Sequence, residues 1–369
     1  MGGRGEPDTP CPGRPDRVDT PAQDHVGTSA PDQTTSPTPH DPNTPSTRRP
    51  RRRRRRRTAL LVTAVLVVAL ALTMRTPSPV GHWDGAEGQD RYLAAYREAF
   101  ADLPEPTDTL DVRTDFGVVR LYRYQGSGPA DHPMVLLPGT ASGSPVMGDN
   151  LPSLLQLGDV YLIDLLGQPG RSVQERPITS AADQAAWLDQ TLAALPENSF
   201  HLVGLSIGGW TAVNLALHSP QRVESLILLD PVYVFDDMPW ETILRSVPAA
   251  FSWLPKSWRD SFNSYTAGGA PVEDVPVADM IEAGMQHYRM KLPQPTRISP
   301  AQLTSLQMPV LAFIAGRSVM NDPRSAARTA QEHLPRGTVH VYPEASHAIN
   351  GEYPQQIAAD IEAFLNAQQ

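Results

Sequence analysis

From residue 106 onward the chain alternates between two patterns. Short, nearly unbroken apolar runs at 134–137, 160–163, 200–203, 225–229, 310–314 and 338–342 are separated by stretches with helical apolar spacing. A strand that is apolar on both faces must be covered on both faces. The alternation therefore predicts an α/β fold, a mostly parallel central sheet between two helical layers. Two elements precede it. Residues 88–103 put Leu93, Tyr96, Phe100 and Leu103 on one helical face, and Pro104 and Pro106 stop that helix. Residues 110–114 and 117–124 alternate as a hairpin around Asp115-Phe116-Gly117.

One interval breaks the rhythm. Residues 233–305 show no strand pattern but hold Trp240, Phe251, Trp253, Trp258, Phe262, Tyr265 and Tyr288. They read as a helical cap inserted between two sheet strands, or as a helical excursion whose aromatics pack only on one another. The expected organisation is a linker and amphipathic helix over 75–105, a core in two parts (106–232 and 306–369) and the cap between them.

The amino-terminal part is of another kind. Residues 1–47 are rich in Pro, Asp, Thr and Gly and nearly lack large apolar side chains, so they cannot offset their ordering entropy and are expected to be disordered. Arg48, Arg49 and the unbroken run Arg51 to Arg57 follow, completing a cytoplasmic tail over 1–57. The apolar run 58–74 comes next and is closed by Arg75. At 1.5 Å per residue this run reaches about 25 Å, the short end of a bilayer span. It reads as a transmembrane signal anchor that leaves the rest of the chain outside the cytoplasm. Ala69-Leu70-Ala71 keeps open the alternative of a cleaved export signal and a secreted protein.

Charge and cysteine content narrow the function. The residues after Arg75 carry 18 basic and 33 acidic side chains, which does not suit a polyanionic partner, so no nucleic acid is expected despite the arginine run. The one cysteine, Cys11, lies in the tail, so the exported part relies on its core rather than on disulfides. There is no Cys/His cluster at metal spacing and no phosphate or dinucleotide loop, and neither a metal nor a cofactor is expected.

The chemistry is carried by Gly204-Leu205-Ser206-Ile207-Gly208-Gly209, which sets one serine on a sharp turn between an apolar strand and a small-residue helix. Small neighbours let strand and helix approach closely enough to hold the serine in a strained backbone conformation, the placement of a hydrolytic nucleophile. A serine hydroxyl needs a base to take its proton. Of the ten histidines, His347 lies after the last predicted strand, His201 inside a strand as a core residue, and His287 in the cap, where it could touch substrate.

With this motif stand Leu136-Leu137-Pro138-Gly139-Thr140, Asp164-Leu165-Leu166-Gly167-Gln168-Pro169-Gly170-Arg171-Ser172 and Ser346-His347, in that family's order. From about residue 90 to its end the chain resembles an α/β-hydrolase. The resemblance implies Ser206 as nucleophile, His347 as base, and the backbone N–H groups of Thr140 and Ile207 as donors to the oxyanion. It also implies that the acid follows the seventh strand, nine residues after a proline, but counting from Pro309 reaches Ser318. Asp230, at the end of the sixth strand in Leu228-Leu229-Asp230-Pro231, is the expected acid, as in some branches of the family. Asp322 is the alternative, although Pro323 after it also suits a helix cap.

A serine at the elbow cannot form the alkyl ester of epoxide hydrolases or haloalkane dehalogenases. The expectation is a membrane-anchored serine hydrolase acting on carboxylic esters, with a small, moderately apolar ester or acyl substrate. A catalytically idle binding protein on the same fold and a cell-envelope acyltransferase are the alternatives.

Overall fold

The computed structural model describes residues 51–73, 78–249, 255–271 and 275–368. The expected tail over 1–47, Cys11, Met74 at the end of the expected anchor, and the cap aromatics Phe251 and Trp253 lie outside the described residues. The chain divides into two units, Met1–Arg75 and Thr76–Gln369. In the first, α1 (Arg51–Thr73) joins the arginine run and the apolar run in one helix. Among the described residues no helix is long and apolar enough to cross a membrane, so the transmembrane helix expected over 58–74 finds no support here. The physical reason is length. Seven arginines occupy the start of α1, and the apolar remainder rises about 24 Å against a hydrocarbon core of about 30 Å.

The second unit begins with β1 (His82–Trp83) and α2 (Ala86–Ala101). The hairpin β2 (Asp108–Thr114) and β3 (Gly117–Tyr124) pairs Thr114 with Gly117 across a two-residue turn, and Gly117 takes φ 147°, which favours glycine. Next come β4 (Met134–Leu137), α3 (Leu151–Leu154), β5 (Val160–Ile163), β6 (Val173–Gln174), α4 (Ala181–Ala193), β7 (Phe200–Leu205), α5 (Ile207–His218) and β8 (Val223–Leu229). The segment expected as a cap carries α6 (Trp240–Ala249), α7 (Lys256–Thr266), α8 (Pro276–His287) and β9 (Tyr288–Arg289). The chain then returns through α9 (Pro300–Ser305), β10 (Val310–Ala315), α10 (Pro323–His333), β11 (Gly337–Tyr342), α11 (Ile349–Glu352) and α12 (Pro354–Asn366).

Nine strands form one sheet in the order β11-β10-β8-β7-β4-β5-β3-β2, with β6 added on β3. Its strands β4, β5, β7, β8, β10 and β11 run parallel to one another, and the antiparallel pairs are those that β3 makes with β2, β5 and β6. Every residue of β4, β5, β7 and β10 is buried, because helices lie on both faces. One apolar cluster joins Trp187, Trp210 and Phe235 to one face, and another joins Tyr92, Tyr96, Phe313 and Phe364 to the other.

The ribbon of β1 on β9 had no signal in the chain, since a two-residue strand has no periodicity to read. It ties the lead-in segment to the chain just after α8. Trp83 stands between Tyr92 and Tyr288, with ring centroids 4.9 and 5.0 Å away, and α2 packs on α8 so closely that a methyl on Gly88 would come within 2.4 Å of the His287 ring.

Candidate active site

Ser206 sits between β7 and α5 with φ 55° and ψ −117°, a conformation that costs of order 1–3 kcal/mol and persists only where the surroundings impose it. Here they do. Its N–H donates to the Leu229 carbonyl at 3.0 Å, and its carbonyl accepts from Gly209 N–H at 3.0 Å. Two flanking glycines are required by close approach. A methyl on Gly204 would lie 2.5 Å from the Gly209 nitrogen, and one on Gly208 would lie 2.1 Å from the Leu137 carbonyl oxygen.

The loops after β8 and β11 bring two side chains to this serine. His347 Nε2 is 2.9 Å from Ser206 Oγ, and His347 Nδ1 is 2.6 Å from Asp230 Oδ2. Asp230 is fully buried and also has a positive φ, 40°. Four donors converge on its carboxylate. Oδ1 accepts from Ala315 N–H and Asn321 Nδ2, both at 3.2 Å, and Oδ2 accepts from His347 and from Ser318 Oγ at 2.6 Å. Two oxygens with about four lone-pair sites are thereby filled, as a buried anion requires.

Asp322 stands elsewhere. Its Oδ1 accepts from the N–H groups of Arg324 and Ser325 at 2.9 and 3.0 Å, capping α10.

The histidine loop is held from two directions. Ser346 donates to Glu352 through both N–H, at 2.8 Å, and Oγ, at 2.6 Å, and the His347 N–H donates to the Thr266 carbonyl at the end of α7, at 3.2 Å. Close by, Arg317 Nη2 donates to the Gly268 carbonyl at 2.9 Å. The cap segment is thus fastened to the loops that carry both the histidine and Ser318.

Ile207 follows the serine directly at the start of α5, and Thr140 comes from the turn after β4. A methyl on Gly139 would stand 3.8 Å from Ser206 Cβ, so the Pro138-Gly139-Thr140 turn lies against the elbow. Among the described residues, neither N–H is taken by a loop or turn carbonyl. Ala141, with φ 58°, donates its N–H to Gln168 Oε1 at 2.9 Å, and Ser142 Oγ donates to the Gly139 carbonyl at 2.8 Å; both bonds hold the turn.

Several contributors went unread in the sequence: Gln168, Ser318, Asn321 and Thr266. Gln168 lay within the Asp164 to Ser172 landmark and Ser318 at the end of the count from Pro309. The others had no sequence signal. Asp164, which opens that landmark, is fully buried and accepts from Ser144 N–H and Oγ, both at 2.7 Å, from Arg171 N–H at 2.7 Å and from Tyr96. Burial, and then the Asp164 charge, push the Tyr96 hydroxyl well above the usual tyrosine range.

The other two histidines serve elsewhere. His201 is buried with Nδ1 2.8 Å from Ser225 Oγ, and desolvation, followed by the nearby His132, lowers its pKa to about 4. His287 faces Asp84, Nδ1 to Oδ1 3.4 Å, at the junction of α8 with the lead-in segment. Among the described residues no group of three or more His, Cys, Asp or Glu side chains could hold a metal ion.

The model of the alpha/beta hydrolase family matches residues 134–360, well over half of the chain. The chain belongs to the alpha/beta hydrolase family. This hydrolase is 25% identical over 286 residues to the uncharacterized carboxylesterase nap of Bacillus subtilis (strain 168), covering 75% of this chain and 93% of that protein. It is 26% identical over 259 residues to a pimeloyl-[acyl-carrier protein] methyl ester esterase of Nitrosomonas europaea, with 65% and 96% covered. Among solved structures, naproxen esterase from Bacillus subtilis superposes with a TM-score of 0.70 at 24% identity, over 77% of this chain and all of that one, a likeness of fold.

Proposed function

We propose that this hydrolase is a serine carboxylesterase that works through an acyl-enzyme. The observation that carries the reading is the chain of two hydrogen bonds, 2.9 Å from Ser206 Oγ to His347 Nε2 and 2.6 Å from His347 Nδ1 to Asp230 Oδ2. Ser206 Oγ attacks the ester carbonyl carbon while His347 Nε2 takes its proton. Asp230 holds Nδ1–H, fixing the tautomer and stabilising the imidazolium that forms. Negative charge on the former carbonyl oxygen is met by the N–H groups of Thr140 and Ile207, the latter at the start of α5, where the helix dipole adds to the field. The imidazolium returns the proton to the leaving alcohol, and water repeats the sequence on the acyl-enzyme.

Relatives named as carboxylesterases support an ester as the substrate. The aromatic residues of α6 and α7, Trp240, Trp258, Phe262 and Tyr265, favour a moderately apolar acyl or alcohol group. Attachment to a membrane through residues 58–74, with the catalytic unit outside the cytoplasm, belongs to the same reading. It rests on the arginine run directly before the apolar run, and snorkelling arginines extend what a short segment can span. Extraction of membranes with carbonate would leave the full chain in the pellet and release a variant lacking 58–74. Release of both would remove the anchor from the reading.

Intact-mass analysis after a fluorophosphonate probe tests the chemistry. One adduct, mapped to Ser206 and accompanied by turnover of medium-chain esters, is expected. A folded protein that takes up no probe and hydrolyses no ester in a graded panel would overturn it.

A further inference from the structure

A cavity of about 270 Å³ opens where the lead-in segment meets the end of the Asp164 to Ser172 loop. Its walls come from β1, α2, β3, residues 170–174 and Tyr288 of β9, and none of Ser206, His347 and Asp230 lines it. The second unit is acidic as a whole, yet among the described residues of this wall there is no Asp or Glu, and there are two arginines.

Most polar groups of the wall are already satisfied. Arg120 is spent on Asp111, with Nε 2.7 Å from Oδ1 and Nη2 2.8 Å from Oδ2. Ser172 Oγ donates to the Asp164 carbonyl at 2.6 Å and accepts from Arg120 N–H at 2.9 Å. Gln174 accepts from Gly81 N–H through Oε1 and donates to the Arg176 carbonyl through Nε2, both at 2.9 Å. The Asp164 carboxylate does not line the cavity and is filled by Ser144, Tyr96 and Arg171 N–H.

Two donors are left over. Arg171 is half-buried, its guanidinium carbon stands 5.4 Å from the centre of the Tyr96 ring, and among the described residues nothing accepts from that guanidinium. Tyr288 is 9% exposed, and among the described residues its hydroxyl has no hydrogen-bond partner. A methyl on Gly81, also in the wall, would come within 2.4 Å of that oxygen, so the hydroxyl stands at the cavity surface. Burial holds it well above the usual tyrosine range, which keeps it a neutral donor. Two unspent donors, one a fixed cation, in a wall without acids call for an acceptor that carries negative charge. The planar fork of a guanidinium matches a carboxylate. Trp83, Leu93 and the Tyr288 ring supply the apolar wall, with the Trp83 and Tyr288 rings edge to face at 5.0 Å, and the volume is at the small end of ligand sites.

We propose that this cavity binds a small organic carboxylate with a flat apolar body, at a site separate from the catalytic serine. The carboxylate meets Arg171 and the Tyr288 hydroxyl while the body lies along Trp83 and Leu93. Bound there, the ligand bridges β1, α2 and β9 to residues 170–174 and fastens the lead-in segment to the core. The site does not depend on the esterase reading.

Isothermal titration of the full chain with benzoate tests it. Saturable one-to-one binding is expected, at least about tenfold tighter than that of benzamide, which lacks the charge, or of acetate, which lacks the body. Arg171→Met and Tyr288→Phe should each weaken benzoate at least about tenfold, the worth of a hydrogen bond to a charged group. Hydrogen exchange of the unaltered protein should show benzoate protecting residues 81–93 and 170–174.

No saturable binding below about 10 mM would overturn the site. So would equal affinity in the parent and both variants, or protection confined to the segments around Ser206 and His347. Benzamide as tight as benzoate would overturn the anion, and acetate as tight would overturn the apolar body. If a variant does not fold, exchange on the parent decides alone. A chain that takes up no fluorophosphonate yet binds benzoate here would remove the esterase reading and leave this site standing.

Discussion

The central sheet and the helices that follow Val232 bury their side chains by different means. In β7 and β10 every residue is buried, the strands are paired on both sides, and the carboxylate at the end of β8, Asp230, accepts four hydrogen bonds. In the cap segment, α6 leaves Trp240 70% and Leu244 62% exposed, while α7 and α8 bury an ion pair. Arg259 Nε donates to Glu282 Oε1 at 2.8 Å, with side-chain exposures of 2% and 4%, and Glu282 Oε2 has no hydrogen-bond partner among the described residues. The sheet is held by apolar burial and serves as a rigid platform. This segment is held in part by a buried directional contact, which fixes how α7 and α8 meet more than it stabilises them. Yet the cap reaches the platform at a sensitive point, where the Thr266 carbonyl takes the N–H of His347.

The largest effect that can test this contrast is on the platform. Ser206→Ala should lower kcat by about 10⁶-fold while the thermal midpoint hardly moves, since the elbow's backbone bonds do not involve Oγ. Activity within a hundredfold of the parent in an ester assay would place the nucleophile elsewhere.

On the cap, Arg259→Met should cost about 3–5 kcal/mol by leaving the Glu282 charge buried and unpaired. Adding Glu282→Leu should return most of it. Urea unfolding of the three proteins checks both steps, and a single variant with the parent's midpoint would erase the distinction between cap and sheet.

Acid sharpens the platform side. The His201 pKa is about 4 in the fold because burial disfavours its charged form, against about 6.5 when unfolded. Between these values the unfolded chain binds more protons, so this contribution is fully present above pH 6.5 and is lost as pH falls toward 4, by about 3 kcal/mol. His201→Asn should flatten stability against pH in that window, measured by denaturant titration at half-unit steps.

The smallest effect separates the two aspartates. Asp322→Ala should remove a helix cap worth about 1 kcal/mol and leave kcat unchanged, whereas Asp230→Asn is severe for turnover. A kcat loss of tenfold or more in Asp322→Ala would undo the division of labour between them.

Much of the platform was legible because its signals are local. The apolar runs at 134–137 and 160–163 are β4 and β5 to the residue, and the glycines around Ser206 announce a turn that only small residues permit. The helices between β8 and β10 were legible only as an absence of strand pattern and a surplus of aromatics. Nothing in Arg259 or Glu282 announces a buried pair, because charged residues on amphipathic helices usually face water. The ribbon of β1 on β9 escaped for want of length.

The chain alone determined the order of strands and helices, the elbow, and the residue types available for acyl transfer, since these follow from periodicity and from the steric needs of one turn. Which carboxylate meets His347 was decided only by the tertiary structure. Asp230 and Asp322 are both sequence-plausible, and they part because the parallel register of β8 on β10 delivers the first to the histidine, while the second is spent on the first turn of α10. The same register puts Ser318 beside Asp230, 88 positions apart in the chain, and no local pattern encodes a contact that a sheet makes between strands.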